Sequence, residues 1–231
     1  MKNTNPIGLF DSGIGGTSIW KEVHALLPNE NTIYLADSKN APYGLKSKEE
    51  IISLSCKNTE FLLNKNCKII VVACNTATTN AIKELRAKYD VPFIGIEPAI
   101  KPAAIQSKTN CIGILATKGT LNSELFHKSV TNHPDVKIIE QIGHGLVQLI
   151  ENGDINSPEM IELLESYLLP MVEKNIDSGE AVAKQTKRIL EENNILNNSI
   201  EIATQTFYTN SDPTVLENIL ENKEKVFYKN F

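Results

Sequence analysis

The chain is short of cysteine, of long apolar runs and of clustered basic residues, and each shortage closes off a class of protein. Only four cysteines occur in 231 residues, at Cys56, Cys67, Cys74 and Cys111. Their spacing fits neither a disulfide framework nor a metal-ligand set, and the four histidines (His24, His127, His133, His144) add no ligand pattern. A reduced, cytoplasmic protein is the simplest expectation. Apolar runs such as Lys68-Ile69-Ile70-Val71-Val72-Ala73 fall far below the ~20 residues that span a bilayer, so no membrane association is expected. Lys and Arg total 23 against 28 Asp and Glu, a net charge of −5. With no Lys/Arg run to follow a phosphate backbone, nucleic acid is not an expected partner. Met1–Phe10 lacks the basic, apolar and small-residue order of a secretory leader, and none is expected.

What is present is an ordinary globular mix, 41% hydrophobic and 22% charged. A chain of this length makes one large domain or two small ones. Short β-branched runs alternate with longer helical patterns, which predicts an α/β fold with mainly parallel strands. Ile7–Phe10, Thr32–Ala36, Lys68–Ala73 and Pro92–Ile96 read as strands. Helices are expected over Thr17–Leu27, Ser47–Leu63 and from Cys74-Asn75-Thr76 to Tyr89. The pattern then restarts, with strands at Asn110–Leu115 and Val136–Gln141 and helices near Leu121–Val130, Leu146–Ile150 and Pro158–Val172. Ser157 is placed to cap the last of these, with Pro158 at its first position. Glu97–Pro102 is the candidate crossing between two lobes.

Ligands of open α/β sheets lie outside the carboxyl ends of the strands. Four polar clusters fall there: Asp11-Ser12-Gly13, Pro42-Tyr43-Gly44, Cys74-Asn75-Thr76, and Thr117 with Thr120. Asp11-Ser12-Gly13-Ile14-Gly15-Gly16 has neither the dinucleotide-binding glycine spacing nor a Walker lysine. It is either a tight turn with Ser12 and Thr17 as caps, or a place where Asp11 and Ser12 meet an amino group or orient a base. Cys74 sits between a strand end and a helix start, where the helix N-terminus favours a thiolate. Asn75 and Thr76 add donors suited to a carboxylate. Thr117 and Thr120 either cap the next helix or complete that carboxylate site.

These motifs together resemble the glutamate racemase family. Gly8 to Gly16, Ala36-Asp37, Pro42-Tyr43-Gly44, Val72 to Ala77, Gly95-Ile96-Glu97-Pro98-Ala99 and Ala116 to Thr120 carry the resemblance in the family's order. Asp177-Ser178-Gly179-Glu180-Ala181-Val182-Ala183 and Phe207-Tyr208-Thr209 extend it almost to the end. The resemblance implies two similar α/β lobes, residues 1–98 with 177–231 and residues 99–176, closing on the substrate. It implies interconversion of L- and D-glutamate for peptidoglycan, with two cysteines as acid and base and no cofactor or metal. It assigns Cys74 as one acid/base and Asp11, Ser12, Tyr43, Gly44, Asn75, Thr76, Thr117 and Thr120 to substrate binding. Glu151 stands where some members carry a supporting carboxylate, although its pattern alone reads as a helix-surface residue. Dimers are common in the family, which makes a homodimer one expected assembly.

One part of the family pattern is missing. The second cysteine belongs to a Gly-Cys-Thr-His-Tyr-Pro-like motif ahead of the Asp-Ser-Gly-Glu-Ala stretch. Here Met171–Ile176 runs directly into Asp177, with no cysteine after Cys111 and no histidine after His144. The shortfall is roughly 30 residues, one βαβ step, and it should leave the second lobe with a small core and open strand edges. Four readings follow: an active racemase, a catalytically impaired or inactive homologue that binds glutamate, a binding or regulatory protein that uses the fold for a macromolecular partner, or a relative acting on aspartate or another small acid.

Overall fold

The computed structural model describes residues 4–96, 99–107, 109–171, 179–197, 203–220 and 226–230. Asp177 and Ser178, and Glu97 and Pro98 of the candidate crossing, lie outside them. The chain opens with β1 (Ile7–Asp11), α1 (Thr17–Leu26), β2 (Thr32–Ala36), α2 (Lys48–Asn64), β3 (Ile69–Val72), α3 (Asn75–Lys88) and β4 (Phe93–Gly95). A middle stretch follows: α4 (Ile100–Gln106), β5 (Cys111–Ala116), α5 (Lys118–Leu121), α6 (Glu124–Thr131), β6 (Lys137–Ile142), α7 (Leu146–Asn152) and α8 (Pro158–Leu168). Last come α9 (Gly179–Glu192), β7 (Gln205–Thr209), α10 (Pro213–Leu220) and β8 (Val226–Tyr228). Among the described residues no helix is long and apolar enough to cross a membrane.

The strands form two parallel sheets, as the alternation of elements predicts: a six-stranded one ordered β4-β3-β1-β2-β7-β8 and a two-stranded one, β5-β6. In the large sheet the sequence alternation sorts the core onto two faces. Ile69, Val71, Leu9 and Tyr34 join one buried cluster, while Ile70, Val72, Phe10 and Leu35 join the other. Strands covered on both faces must be apolar at every position, which is why β3 reads as an unbroken run. The late segment containing Phe207 pairs with β2 through β7, so residues after the middle stretch return to the first sheet.

Local signals place most boundaries within a residue or two. Ser47 caps α2 reciprocally: its hydroxyl accepts from Glu50 N at 3.2 Å and Glu50 Oε2 accepts from Ser47 N at 2.9 Å. Ser157 caps α8 ahead of Pro158, as expected. The helix expected near Leu121–Val130 is instead two, α5 and α6, because Ser123 accepts from Phe126 N and starts a second helix. At the amino ends of the strands Lys68 Nζ and Glu30 Oε2 form a buried ion pair at 2.6 Å. Glu30 Oε1 also accepts from Asn197 N at 2.5 Å, tying the returning segment to the first sheet.

The chain order places the site. β1 pairs with β2 on one side and β3 on the other, so the crossovers diverge at its carboxyl end. Such a switch point leaves a crevice between the loops after the two strands. Those loops carry Asp11-Ser12-Gly13 and Cys74-Asn75-Thr76.

Candidate active site

Cys74 is the N-cap of α3, in extended backbone, and its Sγ accepts from Ala77 N at 3.4 Å. The thiol lies 3.5 Å from Ser12 Oγ, and Ser12 Oγ lies 3.4 Å from Asp11 Oδ1. These are long, weak contacts, but they line up a thiol, a hydroxyl and a carboxylate. Asp11 is anchored by Gly16 N donating to Oδ2 at 2.8 Å. Ser12 therefore faces Cys74 and does not cap α1, whose N-cap is Gly16 with no side-chain bond.

The titration of this pair runs against the expectation from the helix N-terminus. Burial first, and the adjacent Asp11 carboxylate second, push the Cys74 thiol up to about 12. The contacts from Ser12 and Ala77 N–H oppose the shift without cancelling it. Asp11 is likewise raised, by burial first. Desolvating a charge costs more than one helix end returns, so the thiol rests protonated.

A second group of predicted residues forms a separate cluster. Thr76 Oγ1 lies 2.8 Å from Thr117 Oγ1 and 3.1 Å from Thr120 Oγ1, and the last two are 3.1 Å apart. Thr117 also caps α5 by accepting from Thr120 N, which is the helix-cap reading of this residue. Gly44 packs against Thr117: a Cβ there would come within 2.6 Å of Thr117 Cβ. Asn75 Oδ1 is buried without a hydrogen-bond partner among the described residues. The first-turn amides of a helix lack intrahelical acceptors and favour an anion, and α3 presents Asn75 and Thr76 there.

Tyr43 is positioned differently from its neighbours. Its hydroxyl donates to Asp37 Oδ2 at 2.5 Å and accepts from Asn58 Nδ2 at 3.0 Å, fully buried. Burial and the Asp37 charge hold this phenol far above its ordinary range. Asn40 and Asn210 also donate to Asp37, so Tyr43 braces the loop that carries Gly44.

Glu151 is the residue that sequence reasoning undervalued. It lies on α7, 137 positions from Ile14, whose N–H donates to its Oε1 at 2.8 Å. Ser38 Oγ donates to its Oε2 at 2.8 Å. The surface reading is thus corrected: the carboxyl is half-buried against the loop after β1. A Cβ on Gly13 would fall 1.9 Å from Glu151 Oε1, so a larger residue there would displace the carboxylate. Burial raises the carboxyl to about 7, with Asp11 adding to the shift and the bonds from Ile14 and Ser38 opposing it. Helical spacing could not reveal this, because the partners come from another sheet.

The other cysteines lie elsewhere. Cys67 is buried ahead of β3 and Cys56 is on α2. Cys111 starts β5, whose other end leads to Thr117, roughly 16 Å along an extended strand. Among the described residues no group of three or more His, Cys, Asp or Glu side chains is placed to hold a metal ion.

Comparison with known proteins bears on this arrangement. Residues 16–178 match the family model described as Asp/Glu/Hydantoin racemase. The glutamate racemase of Ralstonia pickettii is 48% identical over 174 residues, 75% of this chain and 62% of that protein, so the match spans under two thirds of its length. That of Herpetosiphon aurantiacus is 38% identical over 237 residues, covering 90% of this chain and 93% of the other. That longer alignment exceeds the share of this chain it covers by roughly 30 positions, the size of a βαβ step. Among solved structures, a Francisella tularensis glutamate racemase in complex with D-glutamate superposes with a TM-score of 0.83 at 26% identity, over 99% of this chain and 98% of that one.

Proposed function

The chain belongs to the Asp/Glu/hydantoin racemase family, and from that premise we propose that it is a glutamate racemase interconverting L- and D-glutamate through its own side chains. The product D-glutamate would serve peptidoglycan synthesis. The observation that carries this reading is the alignment of Asp11, Ser12 and Cys74 at the switch point beside the N-terminus of α3. A carboxylate at that N-terminus would meet Asn75 and Thr76, with Thr117 and Thr120 closing from the middle stretch and Gly44 leaving room. An ammonium group would be drawn to Asp11 and Ser12. The α-carbon of a bound amino acid would then lie beside the Cys74 sulfur, which takes its proton. Tyr43 supports the loop through Asp37. The D-glutamate complex of the Francisella tularensis relative favours this substrate class.

A protonated thiol must ionise before it can act as a base. An ammonium group beside Asp11 would offset the negative charge that helps hold Cys74 protonated. Substrate binding and thiolate formation are therefore linked in this reading. The test is a chiral assay with L-glutamate and, separately, D-glutamate, on protein shown to be folded by circular dichroism. Wild type should form the opposite enantiomer from each, and Cys74→Ser should lose that activity by roughly 10²–10⁴-fold, the scale of a general base. No conversion in either direction from folded wild type rejects the reading.

A further inference from the structure

We propose that Asn210 is a positioning residue for substrate binding, an inference that rests on the racemase reading above. Acting through Asp37 and Tyr43, it fixes the loop that carries Gly44 against the threonine cluster. The register of the large sheet brings the parts together. β7 pairs with β2 so that Thr209 lies beside Ala36, and the next residues, Asn210 and Asp37, leave the two strands side by side. Both are buried, although they are 173 positions apart. Asn210 Nδ2 donates to Asp37 Oδ1, and Asn210 Oδ1 accepts from Lys39 N at 2.8 Å. One side chain of the returning segment thus grips the loop after β2 twice.

Asp37 passes that grip along the loop. Its Oδ2 accepts from the Tyr43 hydroxyl, which Asn58 of α2 holds from the other side. Depriving a buried carboxylate of its donors is costly, so Asp37 keeps Asn210 and Tyr43 gathered on it. Gly44 follows Tyr43 and meets the middle stretch without slack. A Cβ on Gly44 would come within 2.6 Å of Thr117 Cβ. One on Gly119 would come within 3.1 Å of Gly44 Cα and 3.0 Å of Thr76 Cγ2. At its start the same loop reaches α7, where Ser38 Oγ donates to Glu151 Oε2 at 2.8 Å. The loop therefore bridges the two sheets, and Thr76 meets Thr117 and Thr120 across that bridge.

The effect falls on binding. Cys74 and Asp11 are held by separate bonds, from Ala77 N and Gly16 N, which Asn210 does not touch. A loop released from Asn210 leaves its place against Thr117 for part of the time, and apparent affinity falls with the fraction of molecules still competent to bind. Bound substrate gathers the cluster again, and the step at the α-carbon then proceeds as before. KM should rise while kcat holds. Asn197 supplies the control, because it ties the same returning segment to the first sheet at the opposite ends of the strands. Its Nδ2 donates to Asn29 O at 2.7 Å, far along the sheet from Gly44.

The experiment measures KM and kcat by chiral assay, the Kd of D-glutamate by titration calorimetry, and Tm by circular dichroism. Wild type, Asn210→Ala, Tyr43→Phe, their double variant and Asn197→Ala are compared. Asn210→Ala should raise KM and Kd roughly tenfold, the scale of one or two hydrogen bonds, with kcat held within about twofold. Tyr43→Phe should do the same, and the double variant should go no further than the larger single one, since both act through Asp37. Asn197→Ala should lower Tm and leave KM and Kd in place. Asn210→Ala that lowers Tm alone, or kcat alone as a partly unfolded sample does, marks a purely structural role and overturns the proposal. So do additive effects of the two substitutions, or an equal rise of KM in Asn197→Ala. If Asn210→Ala does not fold, Tyr43→Phe carries the test, and unchanged KM and Kd overturn the link. Wild type that binds D-glutamate without racemising it overturns the racemase reading, while Kd still decides this proposal. Wild type that neither binds nor racemises overturns both.

Discussion

The two sheets differ more in how they are covered than in how they are built. Both are parallel and both end in polar clusters, yet β1 and β3 are buried at every position, whereas in β5 and β6 only Ile112 is. The large sheet sits between two apolar clusters; the small one has a cluster of four buried residues, Ile100, Ile112, Leu121 and Phe126. The lesson concerns division of labour. The well-covered sheet fixes Asp11, Ser12 and Cys74. The less covered region delivers Thr117 and Thr120 to Thr76 and Glu151 to the loop after β1, held there by polar contacts across the boundary.

Core truncation should separate the two regions most clearly. Leu9→Ala in β1 should cost about 2–5 kcal/mol, while Ile112→Ala in β5 should fall at the low end of that range. Urea unfolding of both variants tests this, and equal costs would break the contrast. Next in size is Gly13→Ala, whose methyl would overlap Glu151 Oε1. The carboxylate is the far end of a flexible side chain and should swing away, so the cost should be that of its bonds to Ile14 N and Ser38 Oγ, about 1–2 kcal/mol. A variant with unchanged melting temperature would mean that Glu151 does not hold the two regions together.

The pH dependence should be smaller but directional. The Glu151 carboxyl is raised from 4.5 to about 7, so the folded chain binds this proton more tightly than the unfolded one. Its contribution is complete below about pH 4.5 and is lost as pH rises through 7. Wild type should therefore lose stability relative to Glu151→Gln across that window, read from urea midpoints. A flat difference would mean that the carboxyl titrates normally. The smallest effect concerns thiol labelling: at neutral pH, Cys56 and Cys111, both half-exposed, should react with iodoacetamide before buried Cys74. Mass spectrometry showing Cys74 labelled first would contradict its burial.

The elements of the large sheet were legible because their determinants are local. The unbroken apolar run of β3 and, further on, the Ser157-Pro158 start of α8 both act within a few residues. The separation of α5 from α6 was missed, although Ser123 was a visible cap. At the site, the motif order pointed to Asp11, Ser12, Cys74 and the threonines, and the structure gathers them into two clusters. It did not point to Asp37, Asn58 and Asn210 as the setting of Tyr43, since these come from three distant segments.

The sequence by itself determined the α/β alternation, the two-faced core of the first sheet and the placement of Cys74 at a strand-to-helix turn. Each follows from side-chain periodicity or a cap within one element. It also determined that no cysteine follows Cys111. Only the tertiary structure decided how those groups ionise and what stands near them. The thiol's shift depends on burial and on Asp11 from a neighbouring strand, and Glu151 gains its place from a loop 137 positions away and its raised pKa from burial there. Charge and solvation are set by what surrounds an atom in space, and one-dimensional spacing does not contain that.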